Sequence, residues 1–431
     1  MRKLYWEKLS EEEKKDVMCR PSMDESNAID SIVKDIIQDI QHNGDQAVRS
    51  YSKKFDKVEL NHFQVTQDEL ENAAKQISPN SKNAIDQAYE NIRSFHLNQG
   101  YQPYDKQVRE GVTCMRRVVP IQKVGLYVPG GTAPLVSTTL MNGIPSQIAR
   151  SPLRILCSPP DQNGTINPHI LYAASLCGID TIFKIGGAQA VAAMAYGTQT
   201  IPAVDKIFGP GNAYVTAAKK IVSMDVNGAA LDIPAGPSEV CVIADETAHP
   251  DFVAADLLSQ AEHDVLSQVL LITTSDKLAD NVISSIDKQV AQLSRNQIAS
   301  EALQNSHIII AQDIEEAITI SNDYAPEHLI LNFENAKIYT DKIVNAGSVF
   351  IGAYTPESAG DYCSGTNHVL PTYGYAKNYS GLNVEAFQKT ITMQEITKEG
   401  LESISKTVIS LANLEGLDAH AKAVSIRMEQ A

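Results

Sequence analysis

Cysteine is scarce in this chain. Cys19, Cys114, Cys157, Cys177, Cys241 and Cys363 are the six in 431 residues, and no two form a CxxC pair. That excludes a disulfide framework and the cysteine-based zinc motifs, and it fits reduced thiols in a cytoplasmic protein. Long apolar runs are also missing. None approaches the roughly 18 residues of a membrane span, and the first residues, "MRKLYWEKLSEEEKKD", lack the apolar core of a secretion signal. A cytoplasmic location is therefore expected, and the triplets at Asn163 and Asn378 are chance matches to the glycosylation pattern. Positive charge is in deficit. With 36 Lys and Arg against 52 Asp and Glu, the net charge of −16 excludes a general nucleic-acid binder, which needs a basic face. There is no HExxH and no true GxGxxG, so neither a common zinc hydrolase motif nor a standard dinucleotide fingerprint is present.

What is present is an α/β pattern too long for one core. "AIDSIVKDIIQDIQ" places Ile29, Ile32, Ile36, Ile37 and Ile40 at helical spacing, and "NAIDQAYENIRSFH" reads as a second amphipathic helix. From about residue 120, short β-rich runs alternate with helical stretches. The runs fall at 124–128, 154–158, 181–185, 205–208, 239–244, 268–273, 307–311, 328–332 and 348–351. Strand, crossover helix, strand implies largely parallel sheets. The expected division is a helical region at 1–119, α/β domains at 120–237 and 238–380, and a helical segment at 381–431. No internal sequence repeat accompanies the doubled pattern.

The unusual residues lie where strands end. "YVPGGTAPL", "IGGAQA" and "FGPGNAYV" are glycine-rich turns after strands, where open α/β sheets bind ligands and helix N-termini favour anions. Each alone reads as a tight turn; three on one sheet point to a bound nucleotide of a non-standard kind. In "DYAPEHLIL", Glu327 and His328 stand side by side at the mouth of a buried strand, either a polar loop end or an acid/base pair held on a rigid element. "LLSQAEHDV" lies in a helix that Pro250 starts. Gln260 and His263, three apart, share one face as weak metal candidates. Asp361 and His368 sit in the polar loop "ESAGDYCSGTNHVLPT", and His420 in the last helical stretch. Glu415 and His420 would point about 140° apart on one continuous helix. Gly416 between them predicts that Glu415 sits at the helix entry, where both could reach one site.

Together these segments closely resemble the histidinol dehydrogenases. "VGLYVPGGTAPLVST", "IFGPGNAYVTAAK", "DIPAGPSEV", "LLSQAEHD", "YAPEHLIL", "AGSVFIGAYTPESAGDYCSGTNHVLPT" and "EGLDAHAKA" carry the match in this order, through nearly the whole chain. The resemblance implies two incomplete Rossmann-like domains with small helical terminal segments, in an intertwined homodimer whose C-terminal segment reaches the partner's site. It implies oxidation of L-histidinol to L-histidine through L-histidinal, with two NAD used in succession and one zinc per subunit. The zinc ligands it implies are Gln260, His263, Asp361 and His420, which with Ser238, Glu327, His328 and Glu415 make up the substrate contacts. Glu327 and His328 would be the catalytic acid/base residues, His328 as a neutral imidazole near working pH, and Tyr127, Gln189 and Asn212 the NAD contacts. Two readings compete: a zinc hydrolase with Glu327 activating water, and a nucleotide-binding regulatory protein without turnover. NAD reduction by an amino alcohol separates both from a dehydrogenase.

Overall fold

The computed structural model describes residues 1–21, 26–130, 135–234 and 236–429. Its frame is two all-parallel sheets. One has five strands in the order Thr181–Lys184, Leu153–Ser158, Lys123–Tyr127, Lys206–Phe208, Ala230–Leu231. The other has six, ordered Arg2–Tyr5, His307–Ile310, Gln268–Thr273, Glu239–Ala244, His328–Asn332, Ser348–Ile351. Setting Arg2–Tyr5 aside, each sheet has its third strand outermost, then the second and first, then the fourth and fifth. The order reverses between the first and fourth strands, the place where open α/β sheets take ligands. The nine strands expected from the β-rich runs are all formed.

These strands were readable because both faces of each sheet are covered. Along Glu239–Ala244, Val240, Val242 and Ala244 pack into one apolar cluster and Cys241 and Ile243 into the other. Crossover helices supply much of that cover. The amino-terminal helices Ser26–Asn43 and Pro79–His96 supply more, packing on helices of the five-stranded sheet. Among the described residues, no helix is long and apolar enough to cross a membrane.

The terminal segments hold strands as well as the expected helices. Arg2–Tyr5 forms the edge of the six-stranded sheet beside His307–Ile310. Tyr104–Arg109, Val112–Pro120 and Gln388–Ile396 form an antiparallel sheet with Val112–Pro120 central. Its outer strands are almost wholly exposed. The chain then turns into helices Lys398–Leu414 and Asp418–Glu429, which pack on each other.

This arm is fastened to the five-stranded sheet by Phe387, fully buried and stacked on Phe208 with ring centroids 3.9 Å apart. Truncating a buried aromatic ring costs about 3–5 kcal/mol. Phe387→Ala should lower the denaturant midpoint accordingly while far-ultraviolet circular dichroism is retained at low denaturant; an unchanged midpoint would show that the stack does not fasten the arm.

Candidate active site and cofactor cavity

Two cavities open at the carboxyl ends of the five-stranded sheet. The smaller, about 190 Å³, lies between those ends and the amino ends of strands in the six-stranded sheet. Leu135, Thr138, Gly209 and Asp232 come from the first side, and Ser238, Gln260, His263, Glu327, His328 and Asp361 from the other. Six residues singled out from four separated motifs thus line one cavity. The six-stranded sheet uses the end opposite to the usual one. Ser238 immediately precedes Glu239–Ala244, and Glu327 immediately precedes a strand that begins at His328. Helix Pro250–Ala261 runs back from the far end of its strand and delivers Gln260 at its last turn. His263 lies just beyond the helix, in a turn where its N–H donates to the Gln260 carbonyl at 3.1 Å.

The acid/base candidates are both fastened to Glu239. The Glu239 N–H donates to Glu327 Oε2 at 2.8 Å, and His328 Nδ1 lies 3.0 Å from the Glu239 carbonyl oxygen. A carbonyl can only accept, so Nδ1 carries a proton and Nε2 is the atom left for chemistry. His328 Nε2 sits 3.6 Å from Asp361 Oδ1 and 3.9 Å from Glu357 Oε1. Glu357, one helical turn before Asp361 on helix Glu357–Tyr362, accepts from Ser259 Oγ at 2.9 Å. Among the described residues, nothing hydrogen-bonds Gln260 Oε1, His328 Nε2 or Glu357 Oε1, although all three atoms are buried. Buried polar atoms left unpaired are costly, and clustered here they form a set of donors awaiting a ligand.

Electrostatics set these groups apart. Burial alone would lower the His328 imidazole, but the Glu327 and Asp361 carboxylates outweigh it and hold it well above the ordinary range. The neutral imidazole expected from the sequence is therefore not what these side chains alone produce. Burial raises Glu327, with His328 pulling partly against it. Burial raises Glu357 too, the Asp361 charge adds to this, and its carboxyl reaches about 8. Burial would also raise Asp361, but His328 more than offsets it and keeps it well below the usual range. His263 and His368 are lowered by burial, which favours the neutral form a metal needs.

The donor set fits a divalent cation. His328, Glu357 and Asp361 bring ligand atoms within 4.8 Å of one another. Gln260 adds an unpaired amide oxygen, and His263 an imidazole close enough to feel the charges of Asp361 and His328. Glu357 was not singled out from sequence, and His368 was noted there without a role. Glu357 could have been found by its four-residue spacing from Asp361. His368 lines the cavity and places Nδ1 2.9 Å from the Asp361 carbonyl oxygen; its only signal was the loop it shares with Asp361.

The larger cavity, about 740 Å³, holds Tyr127, Gln189 and Asn212 together. They stand at or just beyond the carboxyl ends of three different strands, and Tyr127 and Asn212 flank the point where strand order reverses. Tyr127 Oη accepts the Gly187 N–H at 3.0 Å. Asn212 Oδ1 caps helix Ala213–Met224, accepting from the Tyr214 and Val215 N–H groups at 3.1 Å each, which leaves its NH₂ for a ligand. Gln189 Nε2 is buried with no partner among the described residues. Of the "YVPGGTAPL" turn, residues 131–134 lie outside the described residues. The "FGPGN" turn serves both cavities, Gly209 and Pro210 lining the smaller and Asn212 the larger. Gly209 has φ +114°, and a Cβ there would stand 2.0 Å from the Tyr127 carbonyl oxygen, so only glycine fits.

Glu415 and His420 line neither cavity, and both are exposed. Gly416 breaks the helix as expected, with φ +69°. The break differs in one respect: Glu415 caps the end of Lys398–Leu414, and His420 lies in the first turn of Asp418–Glu429.

Comparison with known proteins gives a consistent result. The family model described as histidinol dehydrogenase matches residues 19–428. The histidinol dehydrogenase of Vibrio parahaemolyticus is 51% identical over 430 residues, covering 100% of this chain and 99% of that protein. That of Bacteroides thetaiotaomicron is 51% identical over 419 residues, 97% of each. The crystal structure of histidinol dehydrogenase from Elizabethkingia anophelis superposes with a TM-score of 0.93 at 49% identity, covering 98% of this chain and 97% of that one. With the fold matched over its length and sequence identity near one half, the chain belongs to the histidinol dehydrogenase family, oxidoreductases of histidine biosynthesis.

Proposed function

We propose that this chain oxidises L-histidinol to L-histidine in two steps through L-histidinal, using one zinc ion and two successive NAD. The observation that carries this reading is the smaller cavity, where Gln260, His263 and Asp361 stand beside the Glu327–His328 pair, with Gln260 Oε1 and His328 Nε2 buried and unpaired among the described residues. Zinc, when held by Gln260, His263, Asp361 and the partner subunit's His420, would orient the substrate through its amino and imidazole nitrogens. NAD, when bound in the larger cavity by Tyr127, Gln189 and Asn212, supplies the hydride acceptor for both oxidations. Residues 120–237 would then be the NAD-binding unit and 238–380 the metal-bearing unit.

His328 Nε2 takes the hydroxyl proton as the carbinol carbon gives up its hydride. Once the Asp361 carboxylate is engaged by a cation, Glu327 is the main charge left holding the imidazole proton, which moves His328 toward the neutral form a base needs. The aldehyde then adds water, whose proton goes to Glu327, and the diol loses the second hydride and a proton. Glu327 suits this task because burial raises its carboxyl toward neutral pH. Ser238, just before its strand, and Glu415 of the partner subunit complete the substrate contacts.

The shared site is supported by the carboxyl-terminal arm. Glu415 and His420 are exposed on a segment that also exposes Leu411, Leu414, Leu417 and Ile426. An exposed apolar cluster on a thin arm calls for cover by another chain, and a homodimer built this way delivers His420 to its neighbour.

Three outcomes are expected. In a spectrophotometric assay with histidinol and NAD, a chelator should abolish NADH formation and zinc restore it. His263→Asn should weaken zinc binding by more than about tenfold in direct metal titration, since even loss of an outer partner of a ligand costs that much; full turnover in a verified metal-free preparation would contradict the metal assignment. The two bases should separate by step, each contributing about 10²- to 10⁴-fold: His328→Asn slows histidinol oxidation, and Glu327→Gln is most impaired when histidinal is supplied. Identical defects on both substrates would refute separate roles. Finally, mixing inactive His420→Asn with inactive His263→Asn under subunit exchange should restore activity, because one site of each mixed dimer is then intact; no recovery after proven exchange rejects the shared site.

A further inference from the structure

Glu327 and His328 take their geometry from one residue that does not line the cavity. The backbone N–H and carbonyl of Glu239 bind the two side chains from opposite ends of that residue. Strand pairing with Gln268 holds the Glu239 backbone, and its side chain, 2% exposed, is gripped by Arg20. Arg20 Nε donates to Glu239 Oε1 at 2.9 Å and Nη2 to Oε2 at 3.0 Å, the parallel fork that arginine makes with a carboxylate. The Tyr373 N–H donates to Oε1 at 2.7 Å.

The same guanidinium also holds the segment that leads into Glu327. Nη2 donates to the Tyr324 carbonyl at 2.7 Å and the Ala325 carbonyl at 3.3 Å, and the group lies 3.8 Å from the centre of the Tyr324 ring. Ala325 has φ +53°, a left-handed conformation a non-glycine residue adopts only when its surroundings enforce it. The Tyr324 hydroxyl donates to Gln268 Oε1 at 2.8 Å, and Gln268 Nε2 donates to the Cys19 carbonyl at 3.0 Å, so the segment carrying Arg20 is itself tied down. One side chain thus braces both approaches to the acid/base pair: the strand start that binds the two groups and the turn that precedes them.

We propose that Arg20, acting through Glu239, is a positioning residue for the Glu327–His328 pair. This rests on the reading of that pair as base and acid. Without Arg20, the Glu239 carboxylate keeps one N–H partner in a buried place. An uncompensated buried charge moves or takes a proton, and movement of Glu239 carries both side chains with it. Displacement of a catalytic group by about 1 Å can cost 10²-fold in rate.

The test uses the zinc-loaded, full-length enzyme. Arg20→Gln should lower kcat about 10- to 100-fold, with KM for histidinol and NAD within about threefold and zinc content unchanged. Arg20→Lys should fall between, since it keeps the charge and loses the fork. The loss should also vanish where its target is already gone: Arg20→Gln adds nothing on histidinol in a His328→Asn background, and nothing on histidinal in a Glu327→Gln background. A parental kcat in Arg20→Gln, or a full multiplicative loss in either double variant, overturns the proposal. If Arg20→Gln does not fold, Arg20→Lys carries the same comparison, and a parental kcat there is equally decisive. Parental activity of both His328→Asn and Glu327→Gln, whatever Arg20 does, would instead remove the acid/base reading and this proposal with it.

Discussion

The two parallel sheets meet end to end, and the chemistry depends on that meeting. The carboxyl ends of the five-stranded sheet carry the glycine-rich turns; the amino ends of the six-stranded sheet carry Ser238, Glu327 and His328. Strands of a buried sheet are among the stiffest elements a chain can offer, so side chains at their ends are held closely. Under the function proposed above, a cofactor on one sheet and an acid/base pair on the other would face each other across a cavity only about 190 Å³ in volume. One short turn, Gly209 to Asn212, serves both cavities.

Legibility in the sequence followed burial. Leu329, Ile330 and Leu331 announce their strand because both sides of it are apolar. Arg2–Tyr5 and Gln388–Ile396 escaped detection because edge and exposed strands need no such run; their partners, His307–Ile310 for the first and Val112–Pro120 for the second, lie far away along the chain and decide their pairing. The site divides in the same way. Gln260 and His263 could be paired by helical spacing, and Glu327 and His328 by adjacency. Glu357 and His368 become relevant only once the fold sets them against Asp361. Arg20 was invisible for a stronger reason: its importance lies in which carboxylate it holds, 219 positions along the chain.

The cluster around Asp361 concentrates charge where water is scarce. Glu327, Glu357 and Asp361 cluster with His263, His328 and His368 in or beside one small cavity, and their mutual fields push their titration apart. Such a cluster is expensive to bury without a ligand. A cation seated there would be bound in part because it relieves that strain, so metal retention and local stability are two views of one free energy.

The pairing of the first strand with His307–Ile310 also has a consequence in time. Arg2–Tyr5 is made some 300 residues before the strand it joins. At about 5–20 residues per second the nascent chain carries that segment unpaired for roughly 15–60 seconds. The five-stranded sheet, complete by Leu231, can assemble on the ribosome in the meantime, while Arg20 waits for Glu239 and the edge strand waits longer still. The Glu327–His328 pair is therefore braced late, and a chain released too early would carry a formed five-stranded sheet without an ordered pair.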